Sequence, residues 1–236
     1  SKLRSKLVAL SIGIAMLGAA HAADPDPFIN GKDLALVEYL PRPPADDSMQ
    51  TGADLQQVLS IQQSRTPEMC AIASADVVQD VWRFTSALPP ELRVRFNQQA
   101  LPTVDAFFDR VKATKNAVLD PAKDTWKRAR PFKFSSQVRP CIKLEDSASY
   151  PSGHATASML MAIVLSDMLP EYREAIMQRA IEYAQNRVIG GVHYPSDIIA
   201  GRTSGALIAL ELKRHAEFNE QFALVKAQLR SALQLY

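Results

Sequence analysis

Residues 151–197 read PSGHATASMLMAIVLSDMLPEYREAIMQRAIEYAQNRVIGGVHYPSD. The pattern is helical twice over. Ser152 is placed to cap a helix, and an apolar run follows over 153–169. Pro170 breaks that run. A second run over 171–188 sets Ile176, Ala180, Tyr183 and Ala184 along one stripe, the face that a helix turns to a core. Pro195 is placed in the first turn of the next helix.

The same spacing recurs outward in both directions. It predicts helices over 53–63, 68–87, 90–98, 103–118, 121–129, 196–216 and 218–234. Pro67, Pro89-Pro90, Pro102, Pro121 and Pro131 are read as the breaks between them. No run alternates as a strand does, and no repeat is visible. The expected fold is all-α, a single-domain helical bundle over 53–236. Residues 132–150 have no helical period and read as a long loop, a kind of segment that is often functional. Residues 23–52 are rich in Pro, Asp and Gly and read as an extended arm on the domain.

The first 22 residues are expected to be a secretory signal peptide. Lys2, Arg4 and Lys6 form a basic start, Leu7–Ala19 is apolar, and Ala20-His21-Ala22 has the small-x-small form of a cleavage site. Cleavage there removes three cations and no acids, which takes the formal charge from +2 to −1. A near-neutral chain offers no bulk attraction to nucleic acid or to an anionic membrane. No later apolar run reaches bilayer length, so stable membrane insertion is not expected. Cys70 and Cys141 are the two cysteines. In an oxidising compartment they can close one disulfide, and two buried thiols are the alternative. Cysteines so far apart do not resemble a metal site.

Three short stretches concentrate the chemistry. Lys123 and Arg130 are seven residues apart, which places both cations on one face of a helix, with Lys127 near it. Arg187 lies eleven residues after Ile176 and so points toward the core side of its helix. A buried cation there needs an anion or a carboxylate partner. Ser152 and Gly153 start a helix whose free N–H groups favour an anion. His193 and Asp197 are four apart, so the carboxylate can hold one ring nitrogen and leave the other free to attack. Gly190-Gly191 would let backbone approach a bound oxyanion. His215 reads as a surface residue at a helix end.

These stretches read KDTWKRARP, SYPSGHAT and NRVIGGVHYPSD. Their order and spacing resemble the signature shared by bacterial class A non-specific acid phosphatases, type 2 phosphatidic acid phosphatases and vanadium haloperoxidases: K-x6-R-P, P-S-G-H, then S-R-x5-H-x3-D. Asn186 stands where that signature usually has Ser. Upstream, LPRPPADDS (Leu40–Ser48), Asp54 and RTPEMCAIASAD (Arg65–Asp76) resemble the amino-terminal half of the soluble class A enzymes. The resemblance implies a helical bundle of the phosphatase/haloperoxidase kind and a periplasmic acid phosphatase acting on small-molecule phosphate monoesters. It assigns Lys123, Arg130, Arg187, Ser152 and Gly153 to the phosphate. It makes His193 the nucleophile, oriented by Asp197, and His154 the acid. The intermediate is a phosphohistidine, with no metal and no cofactor. A homodimer is admitted by the same likeness. A lipid phosphatase, a vanadate-dependent haloperoxidase and a non-catalytic phosphate binder are the alternatives.

Overall fold

The computed structural model describes residues 24–236, so the signal-peptide reading of 1–22 lies outside the described residues. Helices and turns account for the regular structure, and no strand occurs among the described residues. The helices are α1 (Met49–Ser64), α2 (Pro67–Ala75), α3 (Pro90–Arg93), α4 (Pro102–Trp126), α5 (Pro131–Phe134), α6 (Gly153–Met168), α7 (Arg173–Ile189), α8 (Pro195–Leu212) and α9 (Ala216–Leu233).

Helix α6 is the axle of the bundle. It is buried nearly all round, from His154 to Met168, as an all-apolar helix must be. It packs on α4, α7 and α8. The α6–α8 contact depends on two small residues one turn apart. A Cβ on Gly201 would stand 2.6 Å from the Ser152 carbonyl, and one on Gly205 would stand 2.6 Å from the Thr156 carbonyl. This close approach brings the first residues of α6 beside the first turn of α8, where Ser152 N–H donates to the Asp197 carbonyl at 3.1 Å. Leu160, Leu165, Ile176, Ile208, Phe108 and Val111 fill the main core.

The expected break at Pro121 is absent. Helix α4 runs through it from Pro102 to Trp126. A proline inside a helix leaves the carbonyl four residues earlier without its donor. Here that carbonyl, on Ala117, accepts from Gly31 N–H at 3.1 Å. Residue 31 has little room for a side chain, because a Cβ would meet Pro121 Cγ at 3.1 Å. Ile29, Leu34, Leu36 and Leu40 join the same core.

Three other helix expectations are corrected. The helix expected over 68–87 stops at Ala75, and a 3-10 segment, Val81–Ala87, follows after a turn. The break serves Asp76, whose buried carboxylate collects Arg83, Arg179 and Asn186. The helix expected over 90–98 is the single turn α3. Lys123 and Arg130 do not share a helix face: α4 ends at Trp126, Lys127 is exposed and left-handed at φ 50°, and Arg130 is the extended residue before α5. The turn, rather than helical spacing, brings the two cations together.

Candidate active site

Four elements converge on one buried polar centre: the end of α4 with its following turn, the 132–150 loop, the start of α6, and the α7–α8 junction. Arg130, Arg187, His193 and Asp197 are almost completely buried. Cys70 and Cys141 are joined by a disulfide that ties α2 to the loop. The loop then supplies Glu145, Ser147, Ala148 and Ser149 to the centre.

Asp197 is wrapped by donors. Its carboxylate accepts from Arg128 Nη1 at 2.8 Å and Tyr194 N–H at 2.8 Å, and from the Ser149 hydroxyl. His193 Nδ1 lies 3.2 Å from Asp197 Oδ2. Burial pushes the Asp197 carboxyl above its ordinary value, and Arg128, Ser149 and the Tyr194 N–H oppose that shift. With Nδ1–H turned to Asp197, His193 Nε2 faces the anion pocket, where Arg130 Nη1 stands 3.2 Å away. Burial holds the His193 imidazole well below its ordinary titration range, reinforced by Arg130, Arg187, Lys123 and His154. That shift favours the neutral ring, with a free lone pair on Nε2.

His154 differs. Its Nε2 is 2.8 Å from the Val77 carbonyl, which fixes the proton there and leaves Nδ1 toward the cleft. Gln79 Nε2 is 3.3 Å from Nδ1, and Glu145 Oε1 is 3.8 Å away. Burial lowers the His154 imidazole, helped by Arg187 and resisted by Glu145.

The cations are unequal in their partners. Arg130 is held by the Ser147 carbonyl and hydroxyl, the Val192 carbonyl and Glu145 Oε2. Lys123 Nζ donates to the Ala148 carbonyl. Burial lowers its ammonium to about 8, assisted by Arg130. Arg187 has no hydrogen-bond acceptor for Nε, Nη1 or Nη2 among the described residues. Its nearest anion is Glu145 Oε2, 3.3 Å from Nη2 but without hydrogen-bond alignment. Glu145 thus sits among Arg130, Arg187 and His154. Burial works to raise its carboxyl, and those three groups outweigh that and leave it below its ordinary value.

Ser152 caps α6, its hydroxyl accepting from Ala155 N–H at 3.2 Å. The N–H groups of Gly153 and His154 have no partner among the described residues, as expected at a helix start. Gly190 serves packing rather than oxyanion approach: a Cβ there would lie 2.4 Å from Ile142 Cδ1 in the loop. Asn186 points away from the pocket and donates to Asp76 at 2.7 Å. His215 lies at the amino-terminal end of α9, 3.1 Å from Glu211. No group of three or more His, Cys, Asp or Glu is placed to hold a metal among the described residues.

All eight sequence-predicted site residues therefore border one centre. Sequence reasoning missed Arg128, Glu145 and Ser149. Arg128 and Glu145 lie outside regular helix and have no period to betray them.

Residues 111–220 match the sequence profile of the PAP2 superfamily. A non-specific acid phosphatase of Salmonella typhi is 28% identical over 233 residues, covering 96% of this chain and 93% of that protein. Two solved structures share the fold. One is a transmembrane PAP2-type phosphatidylglycerolphosphate phosphatase from Bacillus subtilis, with TM-score 0.50 and 20% identity over 79% of this chain and 92% of that one. The other is a bacterial vanadium-dependent iodoperoxidase, with TM-score 0.52 and 17% identity over 76% of this chain and 53% of that one. No helix among the described residues is long and apolar enough to cross a membrane. The three motifs fall inside the matched segment and meet at one pocket in a helical bundle, and residues 111–220 are a PAP2 superfamily domain.

Proposed function

We propose that this chain is an acid phosphatase that hydrolyses small phosphate monoesters through a phosphohistidine. The observation that carries the reading is Arg187: a fully buried guanidinium whose three nitrogens have no aligned hydrogen-bond acceptor, beside a carboxylate-oriented histidine. Such a guanidinium has its hydrogen bonds completed only when an acceptor such as a phosphate oxygen is bound. The acid phosphatase relative, aligned over nearly the whole chain, supports the reaction class.

In the first step His193 Nε2 forms a bond to phosphorus as the bond to the ester oxygen breaks. His154 Nδ1 gives its proton to the departing alkoxide. In the second step water attacks the phosphohistidine, His154 takes up a proton from that water, and inorganic phosphate leaves with His193 restored. Arg187, Arg130 and Lys123, with the Gly153 and His154 N–H groups, hold the phosphate oxygens. Charge concentrates on those oxygens in the transition state, where fixed donors act most strongly. The anionic substrate also supplies the negative charge that lets His154 hold a proton despite its burial. The same reading includes export to the periplasm, supported by the sequence of residues 1–22 and by the Cys70–Cys141 disulfide.

The test is hydrolysis of p-nitrophenyl phosphate between about pH 4 and 7, a range spanning ordinary histidine titration. Wild-type protein should release phosphate and form an acid-labile, alkali-stable phosphoenzyme, and His193→Ala should do neither. Folded wild-type protein that releases no phosphate from aryl or nucleotide monoesters would overturn the proposal. Activity on a lipid phosphate but not on soluble esters, or halide oxidation dependent on added vanadate, would replace it with one of those two readings.

A further inference from the structure

The pocket opens through a cleft of about 390 Å³ lined by Gln79, Lys115, Leu119, Lys123, Glu145 and His154, among others. Lys115 is the unexplained member. It is only 5% exposed, yet it makes no hydrogen bond and no ion pair among the described residues. Burial of a lysine stem is common, and here the ammonium itself opens onto the cleft, where it is free to meet an anion. The ammonium is aimed at the start of α6. A Cβ on Gly153 would lie 3.7 Å from Lys115 Nζ and 4.0 Å from Lys123 Cε, so the bare glycine stands between the two lysines. The carboxylates whose fields reach Lys115 are Asp120 and Glu145, and neither comes within ion-pair distance. Burial lowers the ammonium to about 8, so it remains charged in acid.

Its position fixes what it can meet. Arg130, Arg187 and His193 lie at the buried end of the centre, whereas His154 and Lys115 line the cleft. In the proposed mechanism the alcohol leaves past His154, and therefore into the space that Lys115 faces. Resting on that mechanism, we propose that Lys115 is a specificity-determining residue that binds a second phosphate carried on the leaving alcohol, so that bisphosphorylated substrates are preferred over their monophosphate counterparts. A lone lysine acts there as a point charge, which suits a flexible second phosphate better than a planar fork would.

The experiment compares fructose 1,6-bisphosphate, fructose 6-phosphate and p-nitrophenyl phosphate on wild-type and Lys115→Met protein. Met keeps the stem length and removes the charge. KM for the bisphosphate should rise about tenfold or more, the scale of one charge-assisted contact. KM for the two monophosphates should stay within about twofold, and Lys115→Arg should restore most of the difference. A separate measurement needs no variant. Methylenediphosphonate should inhibit wild-type hydrolysis of p-nitrophenyl phosphate about tenfold more tightly than methylphosphonate does. Equal changes in KM for all three substrates, no change for any, or equal inhibition by the two phosphonates would overturn the subsite while leaving the phosphatase reading intact. Wild-type protein inactive on all three substrates would instead remove the phosphatase reading on which the subsite rests.

Discussion

Arg128 and Arg187 are both buried, and they are opposite in kind. Arg128 is surrounded by its own chain, with Nε alone lacking an acceptor: Asp197 and the Ser196 hydroxyl lie on one side, Asp54 and the Thr51 hydroxyl on the other, and the Tyr194 ring is 4.2 Å from its guanidinium carbon. Ser196 in turn donates to Asp54. Arg187 has only the poorly aligned Glu145. The difference separates two uses of one side chain. A buried cation satisfied by the protein holds the fold, and a buried cation left unsatisfied is waiting for a ligand.

The largest expected effect breaks the ligand side of the contrast. Arg187→Met should lower kcat/KM for p-nitrophenyl phosphate by about 10³-fold, as loss of a preorganised donor does. Its melting temperature should change little, because the guanidinium makes no aligned hydrogen bond and Glu145, its nearby anion, keeps Arg130. Inorganic phosphate at about 100 times its Kd should add about 2.7 kcal/mol to the wild type and almost nothing to the variant. Arg128→Met should do the reverse in calorimetry, costing about 3–5 kcal/mol by stranding Asp54 and Asp197. A variant at either position with the other's signature would collapse the distinction.

Glu145→Gln sharpens it. The charge competing for Arg187 and Arg130 disappears, so KM and the inhibition constant for phosphate should fall severalfold, up to about tenfold. An unchanged KM would show that Glu145 does not compete with substrate.

Acid titration gives a smaller effect. His193 and His154 are held below the ordinary histidine value of 6.5 in the folded protein. At these two rings the unfolded chain therefore binds more protons below that pH, and their contribution to stability falls on acidification from about pH 6.5. Saturating phosphate should flatten that fall, as differential scanning calorimetry at pH 7 and pH 5 would record. Asn186→Ser should have the smallest effect. It removes one donor from Asp76, which keeps Arg179 and Arg83, and should cost about 1 kcal/mol with kcat unaltered.

The helical bundle was legible in the sequence, as was the grouping of most candidate site residues, because both rest on spacing. His193 and Asp197 are one turn apart, and the run from Ile176 to Arg187 keeps one face. What escaped was set by tertiary contacts. The break between α2 and the 3-10 segment follows from a carboxylate gathering three partners from distant elements. The continuity of α4 through Pro121 depends on a donor ninety residues away in sequence. Arg128 and Glu145 lie on irregular backbone, where neighbouring letters do not say which way a side chain turns. Lys123 and Arg130 were rightly grouped but for the wrong reason, since the turn at Lys127 replaces the helix expected there.

The Gly31–Ala117 hydrogen bond has a dynamic consequence. Pro121 has no amide proton, so the amide of Gly31 becomes the exchangeable reporter of that turn of α4. Its deuterium uptake should follow the opening of the segment between Lys115 and Lys123, without a probe being placed in the pocket. Slower uptake in the presence of phosphate would mark the amino-terminal arm as a distant gauge of site occupancy.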